Sequence, residues 1–189
     1  GVHQVSLRKR SLSSALLLGL IVGPMPSTRS AISTNNEPVV RRIKDTTTAS
    51  IMVPTHPNKA WDVLTDYENT GLKMPDIKEV KVIGKKSHRF KLQQTYQGSY
   101  TFGLKIKALL EIEEKPKGLI NYKIIKGNLI NKLEGSWMLI PISGGTLVAH
   151  RIQIDPVLPG FLKPLFINRF ETNLKNSMKI LQKLILESS

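Results

Sequence analysis

The side chains best placed to do chemistry lie on apolar, strand-like segments. His150 alternates in phase with Val148 and Ile152, so its imidazole should point to the same side as the apolar core. An imidazole there can act as a general base, or it can hydrogen-bond a carbonyl or hydroxyl group of a ligand. Gln94 and Tyr122 are likewise polar residues on otherwise apolar strand faces. Three such groups in an apolar pocket would orient a lipid-like ligand; the alternative is that they are buried and satisfied by their neighbours.

Other reactive residue types lack the spacing that catalytic or metal sites need. The chain has no cysteine, which excludes disulfides, thiolate metal sites and a cysteine nucleophile. His3, His56 and His88 share no metal-ligand spacing with one another or with His150, so we expect no metal site and no cofactor. No helix is predicted after the Gly-Gly pair at 144–145, so this pair marks a hairpin turn rather than a phosphate-binding loop. His150 therefore remains the one catalytic candidate, without a recognisable partner.

The chain is strongly basic. It has 28 Lys and Arg residues against 14 Asp and Glu, a net charge of +14. Without residues 1–42 there remain 22 basic and 13 acidic residues, a net charge of +9. The interleaved surface aromatics that single-stranded nucleic acid needs for stacking are missing, so we expect no nucleic-acid partner. An anionic membrane surface is favoured, at about 1 kcal/mol for each lysine close to it, although any one lysine can simply be solvated. The lysines in question are Lys105, Lys107, Lys175, Lys179 and Lys183.

Residues 1–42 have the pattern of a targeting segment. Three basic residues at 8–10 precede an apolar run at 15–22, which a Gly-Pro-Met-Pro sequence and small polar residues follow. These are the parts of a secretory signal peptide, and the apolar run is shorter than the ~20 residues of a transmembrane helix. An uncleaved anchor and an organellar transit segment are the alternatives. We therefore expect an exported or membrane-associated protein, in a periplasm- or thylakoid-type compartment, whose folded domain spans residues 43–189.

The last part of the chain predicts a long amphipathic helix. Across residues 164–186 the apolar side chains recur at steps of three or four, which places them on one side of a helix. At about 1.5 Å per residue the helix would be roughly 33 Å long. A helix of this kind needs a large apolar surface to lie on. Its stripe consists of Phe166, Phe170, Leu174, Met178, Leu181 and Ile185.

Strands dominate the region before that helix. A β-branched first strand is predicted over residues 43–53, a short helix over 55–67, and about six antiparallel strands over 76–156. Residues 69–75 leave room for at most a second short helix. The segregation of strands and helices indicates an α+β fold in which one sheet wraps around the long helix. The carboxylates Glu111, Glu113 and Glu114 should then lie in solvent, on the outer face of the sheet or in a turn.

The order of several short motifs resembles a known family. The sequence VPTHPNKAWDVLTDYEN at 53–69 is followed by Met-Pro at 74–75, by Leu-Gln-Gln at 92–94, by the region at 127–137 that ends in Gly-Ser-Trp, and by Asp-Pro at 155–156. Over residues 43–187 this pattern resembles the polyketide cyclase/dehydrase and lipid-transport family of the START-like, helix-grip (SRPBCC) superfamily, and in particular its cyanobacterial and plastid members. The resemblance implies a curved, seven-stranded antiparallel sheet that grips the C-terminal helix around an apolar cavity. It also implies hydrophobic ligands and no universal catalytic set.

We therefore predict a monomeric binder or carrier of a hydrophobic small molecule near a membrane, such as a lipid, quinone, isoprenoid or pigment. The alternative is a cyclase or dehydratase that acts on a polyketide-like or ring substrate, with His150 as the acid or base. The cavity should open beneath residues 69–75 and 158–164, which are rich in Pro and Gly. The predicted ligand-binding residues are Gln94, Tyr96, Leu104, Ile106, Tyr122, Ile124, Trp137, His150, Ile152, Phe170 and Leu174.

Overall fold

Alternating apolar and polar residues build one antiparallel sheet of eight strands. The computed structural model describes residues 37–188. The strand order is β1-β2-β8-β7-β6-β5-β4-β3, so β1 and β3 are the two edges. The chain crosses from β2 to the opposite edge through two short helices, and a long helix follows β8. The strands are β1 Val39–Ile43, β2 Thr46–Val53, β3 Ile77–Lys86, β4 Arg89–Tyr96, β5 Ile106–Lys115, β6 Leu119–Gly127, β7 Ile130–Ile142 and β8 Gly145–Pro156.

The helices are α1 Pro57–Thr65, α2 Tyr67–Leu72 and α3 Lys163–Glu187. Helix α1 begins with a side-chain cap, because His56 Nδ1 accepts a hydrogen bond of 3.1 Å from the backbone N–H of Asn58. Helix α3 has 25 residues and a proline in its first turn. All six residues of its predicted apolar stripe are buried. This arrangement confirms the α+β helix-grip fold. Within residues 37–188, no helix combines the length and the apolar character needed to cross a membrane.

The sheet has eight strands where seven were predicted. A single first strand was predicted over residues 43–53. Residues 39–53 instead form β1 and β2, with a two-residue turn at 44–45 between them. Lys44 has a positive φ of 57° in this turn. Hairpin turns of this kind favour Asn, Asp or Gly at each position with a positive φ, so Lys44 weakens the turn signal that Asp45 gives. The sheet consequently begins at Val39, inside the stretch assigned to the linker. Residues 1–36 of the targeting segment and linker predicted over 1–42 lie outside the described residues.

Candidate functional site

A cavity of about 200 Å³ lies between α3 and the inner face of the sheet. Its walls are mostly apolar side chains of β4 to β8, of α2 and of the first five turns of α3. Within the described part of the chain, no Asp, Glu, Lys or Arg side chain lines it. The polar groups that reach it come from neutral side chains, chiefly Gln94, Tyr96, Tyr122, His150 and Asn173.

Most residues predicted for this wall are found in it. Nine of the eleven predicted residues line the cavity: Gln94, Tyr96, Ile106, Tyr122, Trp137, His150, Ile152, Phe170 and Leu174. The other two, Leu104 and Ile124, do not line it, and each has a local cause.

Leu104 was wrongly placed on the inner face of a strand. Strand β5 begins only at Ile106, and Leu104 is 50% exposed. The two preceding residues, Phe102 and Gly103, both have positive φ and form a tight turn. The turn resets the direction of the chain, so the alternation of β5 does not extend back to Leu104.

Ile124 lies beside a β-bulge. Leu109 pairs with Lys126 but Leu110 pairs with Ile124, so Ile125 is an extra residue on β6. A bulge bends the strand and re-aims neighbouring side chains. The Cδ1 atom of Ile124 would be 2.9 Å from a Cβ atom at Gly127, which shows that the side chain leans along its own strand.

Several residues of the cavity wall were not among the predicted ligand-binding residues. Helix α2 contributes Tyr67 and Thr70, and Met74 and Pro75 follow. Of these, Thr70, Met74 and Pro75 lie in the segment 69–75 that was predicted as part of an opening. Phe166 lies one turn before Phe170 on the same helical stripe, so the helical spacing could have identified it. Tyr100 lies in a short 3₁₀ turn, Ser99–Thr101, that has no periodic signal. Its ring packs edge-on against Phe166 and Phe170, with ring centres 6.5 and 5.8 Å apart.

The centre of the site is a polar pair from two strands. A hydrogen bond of 2.6 Å joins Tyr122 Oη on β6 and His150 Nε2 on β8. Trp137, on the strand between them, stacks on the imidazole with ring centres 3.9 Å apart. The tyrosine crosses β7 because its cross-strand partner there is Gly135. A Cβ atom on Gly135 would be 2.5 Å from Tyr122 Oη and 2.4 Å from the Arg151 carbonyl oxygen, so this contact requires glycine.

Burial keeps His150 neutral. It lowers the pKa of the imidazole from 6.5 to about 3, because water no longer stabilises the charged form. Within residues 37–188, the imidazole makes its hydrogen bond to Tyr122 through Nε2, and Nδ1 has no partner. No fully buried polar side-chain atom of these residues lacks a partner, so Nδ1 is accessible from the cavity. Nδ1 is therefore the ring nitrogen that can meet a ligand in the cavity.

A second polar pair lies on β4. The Tyr96 hydroxyl donates a hydrogen bond to Gln94 Oε1, which leaves the amide Nε2 of Gln94 as a donor. Burial raises the pKa of the Tyr96 hydroxyl. The pKa of Tyr122 is raised by burial and, to a smaller extent, by the neighbouring Tyr96. The cavity therefore offers hydrogen bonds without any charge at neutral pH.

Glu114 was wrongly expected in solvent. Its side chain is 9% exposed and lies 3.8 Å from His88 Nδ1. The Tyr67 hydroxyl donates a hydrogen bond to Glu114 Oε2. This contact ties α2 to the end of β5, and burial followed by the hydrogen bond to Glu114 raises the pKa of Tyr67.

The two other carboxylates and the Gly-Gly pair discussed in the sequence have structural positions outside the cavity. Glu111 and Glu113 lie on the outer face and pair with Arg89 at 3.2 and 2.7 Å. The Gly-Gly pair at 144–145 forms the β7–β8 hairpin, with Gly144 at a φ of +85°. No group of three or more His, Asp or Glu side chains within residues 37–188 has the arrangement of a metal site.

Comparison with known proteins agrees with this geometry. A model of the family described as polyketide cyclase/dehydrase and lipid transport matches residues 53–179. No curated protein matches the chain by sequence. A crystal structure from Thermus thermophilus is 20% identical, covers 75% of this chain and 97% of its own, and has a TM-score of 0.68.

Two further solved structures are similar at lower identity. The Zhui aromatase/cyclase of Streptomyces sp. R1128 is 11% identical, with 79% of this chain and 98% of its own covered and a TM-score of 0.62. A STAR-related lipid transfer protein of Xanthomonas axonopodis is 13% identical, with coverages of 78% and 92% and a TM-score of 0.60. At these identities the structures show a shared fold alone, whereas the family model spans most of the chain. The chain belongs to the polyketide cyclase/dehydrase and lipid transport family.

Proposed function

We propose that this domain binds a neutral, mostly apolar small molecule in the cavity and carries it near a membrane. The observation that carries the proposal is an apolar cavity whose described wall contains no ionised side chain. A charged ligand would lose its hydration there without a counter-ion, which is costly. A lipid, quinone, isoprenoid or pigment with one carbonyl or hydroxyl group would instead meet His150 Nδ1 or the Gln94 amide.

The volume of the cavity limits the part of a ligand that it can hold. A dry protein cavity of about 150 Å³ accommodates benzene. The 200 Å³ cavity therefore matches one ring or a short chain segment. A larger ligand would insert one end and leave the rest outside, or would require α2 and α3 to move apart.

The low basicity of His150 favours carriage of a ligand over catalysis. A general base works best when its pKa lies near the operating pH, whereas the pKa of His150 is about 3. A cyclase or dehydratase acting on a polyketide-like or ring substrate is the second candidate. It is supported by the Tyr122–His150 pair in the wall and by the fold shared with the Streptomyces aromatase/cyclase.

Native mass spectrometry of the purified chain, followed by solvent extraction, tests the main proposal. We expect a neutral apolar molecule to co-purify, and we expect the fluorescent probe N-phenyl-1-naphthylamine to bind in its place after extraction. A chain that carries no such molecule and does not bind the probe would contradict the proposal. If His150→Ala retains the co-purified molecule but abolishes its conversion, the enzyme candidate is correct instead.

The location is part of the same proposal. The signal-like pattern of residues 1–42 supports export or membrane association, and the net charge of +9 beyond it supports an anionic surface nearby. Cell fractionation together with the mass of the mature N-terminus tests the location. Recovery of the intact chain from the cytosol would contradict it.

Light scattering of the purified protein tests the expected monomer.

A further inference from the structure

A group of apolar side chains is exposed at one end of the sheet. Phe161 is 80% exposed, more than any other large apolar residue of the described chain. It lies in the 3₁₀ turn Gly160–Leu162, directly before α3. The other members lie in the loop before β5, in the β6–β7 turn, directly after β8 and in the first turn of α3. We define the apolar rim as Leu104, Leu129, Val157, Phe161 and Leu165.

Hydrogen bonds to backbone carbonyl oxygens join the segments that carry the rim. The N–H of Val157 donates to the carbonyl oxygen of Leu129 over 2.9 Å. Asn128 donates through Nδ2 to the carbonyl oxygen of Lys105 over 3.1 Å, which connects the β6–β7 turn to the segment that holds Leu104. Arg169 of α3 donates to the carbonyl oxygen of Ser99 over 2.9 Å, at the start of the same segment. The segments that carry the rim are therefore held against one another.

The segments that carry the rim contain basic residues but no acidic ones. Residues 98–110, 124–130 and 156–170 contain no Asp or Glu. They contain five basic residues, and none of the five forms an ion pair within residues 37–188. The four lysines are exposed, and the arginine stacks on Phe102 at 4.8 Å. The five are Lys105, Lys107, Lys126, Lys163 and Arg169.

The rim adjoins the cavity along the chain. Ile130, Pro156 and Phe166 line the cavity. Each is the immediate sequence neighbour of a rim residue: Leu129, Val157 and Leu165, respectively. The cavity and the rim are therefore built on the same three segments of the chain.

We propose that the apolar rim docks on an anionic lipid bilayer, with its apolar tips among the lipid headgroups and its basic residues against the phosphates. The inference rests on the proposed function, because the cavity would then face the source of its ligand. Exposed apolar tips on segments that carry basic but no acidic residues match a negatively charged surface with an apolar interior. This surface differs from the helix lysines considered in the sequence analysis, of which Lys179 pairs with Glu37 at 3.4 Å.

Site-specific fluorescence tests the docking in the full chain. The protein has no cysteine of its own, so a single introduced cysteine can be labelled selectively. Leu165→Cys and Leu186→Cys give single labelling sites on α3 that are 41% and 46% exposed in the native residues. They are about 32 Å apart along the helix. Each cysteine is labelled with the environment-sensitive dye nitrobenzoxadiazole. Addition of vesicles of equal parts phosphatidylcholine and phosphatidylglycerol should blue-shift the emission of the label at 165 and leave the emission of the label at 186 unchanged. A shift at both sites, at neither, or at 186 alone would overturn the proposal.

Vesicle binding of unlabelled variants gives a second measurement. Lys163→Gln should weaken binding to the same vesicles about fivefold, and Phe161→Ser should weaken it about tenfold or more. The matched controls Lys183→Gln and Ile83→Ser, which replace exposed residues elsewhere, should bind like the wild type. Equal losses in the variants and their controls would refute docking through the rim.

Binding of N-phenyl-1-naphthylamine separates this proposal from the proposed function. Phe161→Ser and Lys163→Gln should bind the probe like the wild type, because neither residue lines the cavity. Normal probe binding without any difference between labels at 165 and 186 would refute the docking alone. A chain that docks through the rim but neither binds the probe nor carries an apolar molecule would refute the proposed function alone.

Discussion

Lowering the pH should destabilise this fold through His150. The imidazole has a pKa of 6.5 in the unfolded chain and about 3 in the folded protein, because burial disfavours its charged form. Below pH 6.5 the unfolded state therefore binds a proton that the folded state does not. The contribution is fully present above the unfolded pKa and is lost progressively as the pH falls toward the folded pKa. One pKa unit corresponds to about 1.4 kcal/mol, so the 1.5 units between 6.5 and pH 5 give a loss of about 2 kcal/mol.

Urea unfolding at about pH 7.5 and pH 5 measures this loss. The matched control is the double variant His150→Phe/Tyr122→Phe, which removes the titrating ring and its partner together and leaves no buried polar group unpaired. The exposed His56 and His88 remain in both proteins, so their contribution cancels. We expect the wild type to lose about 2 kcal/mol more than the double variant. Equal losses, or an imidazole pKa near 6 by nuclear magnetic resonance, would refute the burial argument.

Three further predictions concern packing. Gly135→Ala should lower the free energy of unfolding by about 2–4 kcal/mol, because its Cβ atom meets a backbone oxygen and a tyrosine hydroxyl. Gly160→Ala, with no atom within 4 Å of its Cβ, should change it by less than about 0.5 kcal/mol, and equal effects in urea unfolding would contradict the geometry. Ile106→Trp should fill the cavity and abolish binding of N-phenyl-1-naphthylamine, at a stability cost of about 1–3 kcal/mol. The control Ile125→Trp, at an exposed position, should bind the probe normally. Normal binding in both variants would place the cavity elsewhere. Met178→Ala should cost about 2–5 kcal/mol in urea unfolding, because the side chain is fully buried, and a cost below about 1 kcal/mol would mean that α3 is loosely held.

Elements with a local signal could be predicted from the amino-acid sequence. The stripe of α3 could be predicted in full, because residues three and four apart always share one side of a helix. Strand alternation likewise identified the inner faces, including Ile106 on β5 and His150 on β8, because neighbouring side chains must point to opposite sides. The motif order from 53 onward indicated the family, which the family model confirms.

The places where those local rules are interrupted, and the distant residues that meet, could be seen only in the folded domain. Lys44, Phe102 and the extra residue Ile125 change the direction or the phase of the chain without the usual sequence signals. The bond between Tyr67 and Glu114 joins residues 47 positions apart, and no local pattern encodes such a contact. The same holds for the Tyr122–His150 pair across β7 and for the exposed apolar rim. These features depend on strand register and on the path of each loop, and both are set by packing of the whole domain rather than by neighbouring residues.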